Sequence, residues 1–311
     1  MSDAELAAKP AATEAEKKAR EQIVAERKRL EQALPVVLAT MGRILAAIIP
    51  GVSVEHGNAQ PVGRYFERKC PLLRLVTGLC QGADAIAGRA IEAEGILPKP
   101  DAGAGSQPGT HSLETELAAV IPFDVETYRR SRPAEFRGEF DRQLQRCAWV
   151  LTLDGHYEKP DPDTPSAKSR RARAYRAQSG FLLRHSDVLL AAANPDDVGK
   201  AGGTLETVRE ALGFDLPVVF IHTGKAGDNV YLIGPEDDLH SVLAGPAPAA
   251  AAWQTTLRRW VTQLTADPDS RLNPGGATHD EAREHGEKLL AEYFDEPASP
   301  PRDDAGRRQP T

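Results

Sequence analysis

The sequence predicts an α/β fold: a doubly wound, mostly parallel sheet with helical extensions at both ends. Two stretches carry the prediction. Residues 186–221, SDVLLAAANPDDVGKAGGTLETVREALGFDLPVVFI, run through a short apolar segment, a glycine loop, a segment of helical period and a second apolar segment. Residues 72–94 repeat the first three of these steps. Strand-length apolar runs that alternate with helical segments are the pattern of βαβ units and a parallel sheet.

Within the first stretch, the run from Asp187 to Ala193 is too brief for a core helix, and that from Leu216 to Ile221 holds strand-favouring residues, so both fit strands buried on both faces. Leu205, Val208 and Leu212 fall at i, i+3 and i+7, one face of a helix. The unit should cross over with a right hand. Its loop, from Gly199 through Gly202 and Gly203 to Thr204, brings unobstructed N–H groups and a hydroxyl to a helix N-terminus, where an anion such as a phosphate is favoured. A tight turn that needs glycine for its backbone angles gives the same sequence, and both readings stay open here.

Taken in order, residues 1–12 are alanine-rich and polar and are expected to be disordered. Thr13 to Glu16 matches a capping box opening a helix with a thin stripe of Ile23, Val24, Leu30 and Leu34. Pro35 suits the first turn of a second helix, with Val37, Leu38, Met41, Leu45 and Ile48 on one face and Pro50-Gly51 at its end. Leu72 to Thr77 reads as a strand, and Gly82 to Glu94 as a helix with Ala83, Ile86, Ala87, Ala90 and Ile91 inward. Residues 98–112 are a loop by their Gly, Pro, Ser and Asp content. Leu117 to Pro122 is a strand, Phe136, Phe140 and Leu144 mark a helix, and Cys147 to Leu153 is a further strand. A Pro/Asp loop over 157–169 leads into a helix from Ser169 to His185. Beyond the βαβ unit come a short edge strand, Asn229 to Gly234, and a linker at 245–252. Trp253, Leu257, Trp260, Val261 and Leu264 form a helical stripe, and Leu289, Leu290, Tyr293 and Phe294 end another helix. The organisation expected is a main domain over 13–245, a linker with C-terminal helices over 246–294, and a disordered tail over 295–311.

A net charge of −7 argues against a nucleic-acid groove. Cys70, Cys80 and Cys147 have neither zinc-ligand spacing nor the density of a disulfide framework, which fits a reducing cytoplasm. No apolar run approaches the roughly 20 residues of a membrane-spanning helix. His156, His185, His222 and His240 stand on different predicted elements without metal-ligand spacing, so no metal or cofactor is expected.

Two βα turns therefore carry glycines, Thr77-Gly-Leu-Cys-Gln-Gly-Ala-Asp84 and the loop through Gly202 to Glu206. Turns at the carboxyl ends of parallel strands share one edge and can converge on one ligand. Gly78, Gly82, Gly202, Gly203 and Thr204 would then cradle phosphate, with Thr77 beside them and Asp84 or Glu206 on ribose hydroxyls. Asp84 serves equally as a carboxylate complementing the dipole of its helix.

The order TGLCQGADAIA, VIPFDVETY, FDRQL, AWVLTLDG, AYRAQSGFLLRHSDVLLAA and GGTLETVREALGFDLPVVFI resembles the SLOG superfamily over roughly Leu34 to Gly245. These Rossmann-like domains include the Lonely-guy phosphoribohydrolases, the DNA-processing protein A family and sensor domains of bacterial conflict systems. The resemblance implies a pocket for nucleotides or their derivatives. Lonely-guy enzymes carry P-G-G-x-G-T-x-x-E; here Thr207 follows Gly203-Thr204 three places on, and Glu206 stands one place early. One residue turns a helical side chain by about 100°, so N-glycosidase chemistry is the alternative and nucleotide sensing the main expectation, with Glu206 the catalytic residue if the alternative holds. Relatives usually begin with a strand and a G-x-T-G-H-R turn, which nothing before Leu34 matches. That gap, with the tryptophan stripe, predicts a closed homo-oligomer, or else a scaffold whose pocket is vestigial and whose working surface is the helix from Trp253 to Leu264.

Overall fold

The computed structural model describes residues 14–47, 72–92, 113–157, 164–196 and 203–265. The tails expected at 1–12 and 295–311, the helix expected to end over Leu289 to Phe294, the loop expected over 98–112 and Gly202 lie outside them.

The chain is a mixed α/β structure. In order the elements are α1 (Glu14–Ala47), β1 (Leu72–Thr77), α2 (Ala83–Glu92), β2 (Glu114–Phe123), α3 (Val125–Ser131), α4 (Arg137–Arg146), β3 (Trp149–Gly155), α5 (Pro165–Arg184), β4 (Leu189–Ala193), α6 (Thr204–Gly213), β5 (Val218–His222), β6 (Val230–Ile233), α7 (Leu239–Ala244) and α8 (Ala250–Thr265). The strands form two three-stranded sheets, β1-β2-β3, parallel throughout, and β4-β5-β6, parallel then antiparallel. No ladder joins β1 to β4 among the described residues, where one continuous sheet was expected.

Strand period sorts each strand's side chains onto two faces. Val219 and Ile221 of β5 join a core with Leu30, Leu34 and Val37 of α1 and Trp253 and Leu257 of α8. Val218 and Phe220, one residue out of phase, meet Val208 and Ala211 of α6 and Leu239 of α7. In the other sheet, Ala119, Ile121 and Phe123 of β2 lie with Ala85 of α2, Tyr128 of α3 and Phe140 of α4. Helix α5 covers β2 and β3 on the side of α6, which it also touches.

Three expectations change. Pro35 does not open a second helix: α1 runs unbroken for 34 residues with Pro35 inside it. An interior proline costs a hydrogen bond and a clash worth about 3 kcal/mol. Leu30 and Leu34 before it and Val37, Leu38 and Ile44 after it are all buried in one core, and that burial offsets the loss. The stripe of α8 is not surplus surface: Trp253, Leu257 and Val261 are buried against α1 and β6, with Trp260 packed beside them. Buried in this way, the stripe is not available to a second copy or as the working surface of a scaffold. Finally, α3 forms in a segment to which the sequence assigned no element; Asp124 caps it by accepting from the Thr127 N–H at 2.8 Å, and across its 7 residues only Val125 and Tyr128 are apolar, too short a pattern to announce a helix.

Candidate functional site

The first turn leaves β1 at Thr77 and closes on itself. Asp84, in the first turn of α2, accepts through Oδ2 from the backbone N–H groups of Gly78 and Cys80, both at 3.1 Å. Thr77 Oγ1 accepts from the Leu79 N–H at 3.2 Å. Three successive amides that would cradle a phosphate are thus satisfied by the protein's own oxygens. Enclosing the carboxylate raises its pKa, an effect partly offset by the hydrogen bonds from Cys80, Thr77 and Gly78 and by the charge of Arg132.

The turn's glycines have structural reasons. Gly82 has φ of +107°, which a residue with a Cβ adopts only under strain. At Gly78 a Cβ would stand 2.6 Å from Nε2 of Gln178, a buried α5 side chain that donates to the Val120 carbonyl at 2.6 Å just past the end of β1. Between the two glycines, Leu79 is fully buried with φ of +51°, a left-handed residue held by the core around it.

The second turn reaches α6 at Gly203, its N-cap, which has no side chain to cap the helix. Thr204 is exposed. Glu206 accepts from Arg176 Nε of α5 at 2.7 Å, and Thr207 contacts Ser179 of the same helix, Oγ1 to Oγ at 3.4 Å. The structure therefore brings Thr77, Gly78 and Asp84 together in one bonded network, sets Gly82 in the same loop, and places Glu206 and Thr207 against neighbouring residues of α5.

Sequence reasoning places Tyr128 on the rim of the site, as a structural residue just after its strand, but missed the other groups around the first turn. Tyr128 is completely buried; its hydroxyl donates to the Gly78 carbonyl at 2.8 Å and lies 2.9 Å from Cys80 Sγ. Arg132, which ends α3, lies over the Tyr128 ring at 4.2 Å and donates to Tyr175 Oη at 2.9 Å, to Ser131 Oγ and, at 3.6 Å, to Cys80 Sγ. Phe123 at the end of β2 stacks on Tyr157 and meets Tyr175 edge-on. Burial, with the nearby Asp84, pushes the Cys80 thiol up to about 11, and burial raises both phenols, so thiol and phenols are neutral at physiological pH. The only sequence signal was position: Tyr128 and Arg132 follow the carboxyl end of a strand.

A cavity of about 410 Å³ opens at the opposite, amino ends of β2 and β3, lined by Glu92, Glu116 and Arg146 among others. Its charges are already paired, Arg146 with Glu92 at 2.6 Å and Arg74 with Glu116 at 2.7 Å. Among the described residues no group of three His, Cys, Asp or Glu side chains is gathered for a metal, and no helix is long and apolar enough to cross a membrane. Compared with known proteins, the chain matches no family model, no curated protein and no solved structure.

Proposed function

We propose that the chain binds a nucleotide-derived small molecule at the carboxyl edge of its parallel strands. The observation that carries this reading is one short stretch of α5: Gln178 abuts the first turn, while Arg176 and Ser179 hold Glu206 and Thr207 of the second. Turns that rest on the same two turns of one helix are near enough to engage one ligand. The reading takes the two sheets as halves of a doubly wound, Rossmann-like layer, with β1 beside β4. After β3 the chain returns through α5, which packs on β2 and β3 and touches α6, the helix that follows β4. In such sheets a ligand sits where the strand order reverses. The resemblance to the SLOG group, with its sensors of bacterial conflict systems, supplies the ligand class, and the reading assumes a cytoplasmic protein. A closed homo-oligomer now rests only on the first strand and turn that SLOG relatives carry and that nothing before Leu34 matches; a monomer mass by light scattering at micromolar concentration removes it.

Thermal shift against a panel of nucleosides, nucleotides and NAD derivatives, with native mass spectrometry for a co-purifying molecule, tests the reading. Stabilisation by at least one member supports it. No stabilisation and no bound molecule overturn it.

The N-glycosidase alternative has one observation in its favour, a carboxylate at the mouth of the second turn. Glu206 is fixed there by Arg176, however, and Thr207 holds the place of the Lonely-guy glutamate. Nucleoside monophosphates should yield no free base in a chromatographic assay; base release lost in Glu206→Gln would establish the enzyme.

A further inference from the structure

Of the arginines around the first turn, Arg132 is more enclosed than Arg129 and has no carboxylate partner among the described residues. Arg129, one helical turn earlier, forms a two-pronged pair with Asp141 at 2.7 and 2.8 Å. Arg89 meets Glu139 at 3.2 Å. Arg132 donates instead to two hydroxyls and a thiol, all neutral. Asp84 feels its charge across the loop, but the carboxylate oxygen is spent on the amides of Gly78 and Cys80. The C-terminus of α3 returns only a partial charge of about half an electron at most. A partly desolvated guanidinium compensated only in part favours an oxyanion, and its fork geometry suits a phosphate or carboxylate.

We propose that Arg132, oriented by Tyr128 and Tyr175, binds the oxyanion group of the ligand at the carboxyl edge of β1 and β2. Tyr175, bonded to Arg132, and Tyr157 both pack on Phe123, and a flat group joined to that anion would rest against these rings. The amides of the glycine turn, which the sequence suggested for the phosphate, are committed to Asp84, and the side chain of Arg132 takes over that task.

The proposal rests on the binding reading above for its ligand class, so the experiment separates the two. Isothermal titration would compare adenosine, adenosine 5′-monophosphate, inorganic phosphate and acetate on the full chain and on Arg132→Gln, Arg132→Lys and Arg129→Gln. The monophosphate is expected to bind at least tenfold tighter than the nucleoside. Arg132→Gln should remove that advantage without weakening adenosine; Arg132→Lys should restore part of it, and Arg129→Gln should match the wild type. If Arg132→Gln does not fold, the wild-type comparison of nucleoside and monophosphate decides. Where adenosine binds, no advantage for the monophosphate, or an advantage that survives Arg132→Gln, overturns the proposal and leaves the binding reading standing. If neither adenosine compound binds, Arg132-dependent binding of inorganic phosphate or acetate still supports the anion site, with those two arms telling phosphate from carboxylate; its absence overturns the site as well.

Discussion

At the end of β1 the glycine turn folds its amides inward onto Asp84 and Thr77; at the end of β4 the second turn leads into a helix whose N-cap, Gly203, offers no side chain. Along the chain both read as glycine, a hydroxyl residue and an acid within a few positions. The difference lies in where the acid falls. Asp84 is short and sits where its carboxylate can turn back over the loop, whereas Glu206 reaches sideways to Arg176 on the neighbouring helix. A phosphate-cradle pattern thus needs more than glycines: its donors must not already be satisfied from within.

The sharpest way to break this comparison is to remove each acid. Asp84→Ala leaves two enclosed N–H groups without an acceptor and should cost about 2–4 kcal/mol of stability in urea unfolding. Glu206→Ala, which gives up a pair open to solvent, should leave the unfolding midpoint unchanged within error. Equal losses would show that the two turns are alike after all.

The glycines give the next largest contrast. Gly78→Ala must displace the Gln178 amide from the Val120 carbonyl, and should cost about 1–3 kcal/mol by the same measurement. Gly203→Ala, at φ of −90° and ψ of 175°, meets no backbone strain and should cost less than about 1 kcal/mol.

Proton linkage sharpens the comparison further. The folded pKa of Asp84 is raised above 3.8, so its ionisation costs stability at neutral pH. As pH falls through the folded value toward 3.8, the native state takes up the proton before the unfolded chain does. The wild type should therefore gain on Asp84→Asn upon acidification, and a pH series of urea unfolding curves would read that gain. His222 supplies the opposite sign on the β5 side. Burial, with the nearby Lys225, lowers its pKa below 6.5, so its contribution is complete above 6.5 and is lost as pH falls toward the folded value. The slope there is at most about 1.4 kcal/mol per pH unit, and it should vanish in His222→Gln.

The smallest effect expected is at Arg176. Arg176→Gln should not shift the thermal midpoint, because its pair with Glu206 is half exposed, yet it removes the Arg176 charge from Glu206. A change in nucleotide-induced stabilisation without a change in the midpoint would place the second turn in the binding site.

The alternation of apolar runs and helical stripes determined the elements themselves. β1, α2, β2, α5, β4, α6 and β5 all arise where Leu, Ile, Val and Ala recur at the strand or helix period, because local backbone geometry alone decides which side chains share a face. Boundaries and partners were another matter. Pro35 lies within α1 because the leucines on either side share one core, and the tryptophan stripe of α8 turns inward because α1 is long enough to meet it. Of the site, Thr77, Gly78 and Asp84 were legible as a cluster, but not that Asp84 binds the amides itself. Tyr128 and Arg132 come from α3 and its end, Tyr175 and Gln178 from α5; the first of them is already 50 residues from Gly78, and no local period relates them to the turn. Their meeting is decided by the parallel register of β1 on β2 and by α5 crossing above it. Charge compensation is a sum over neighbours in space, so only the folded chain distinguishes Arg132 from the paired arginine one turn before it.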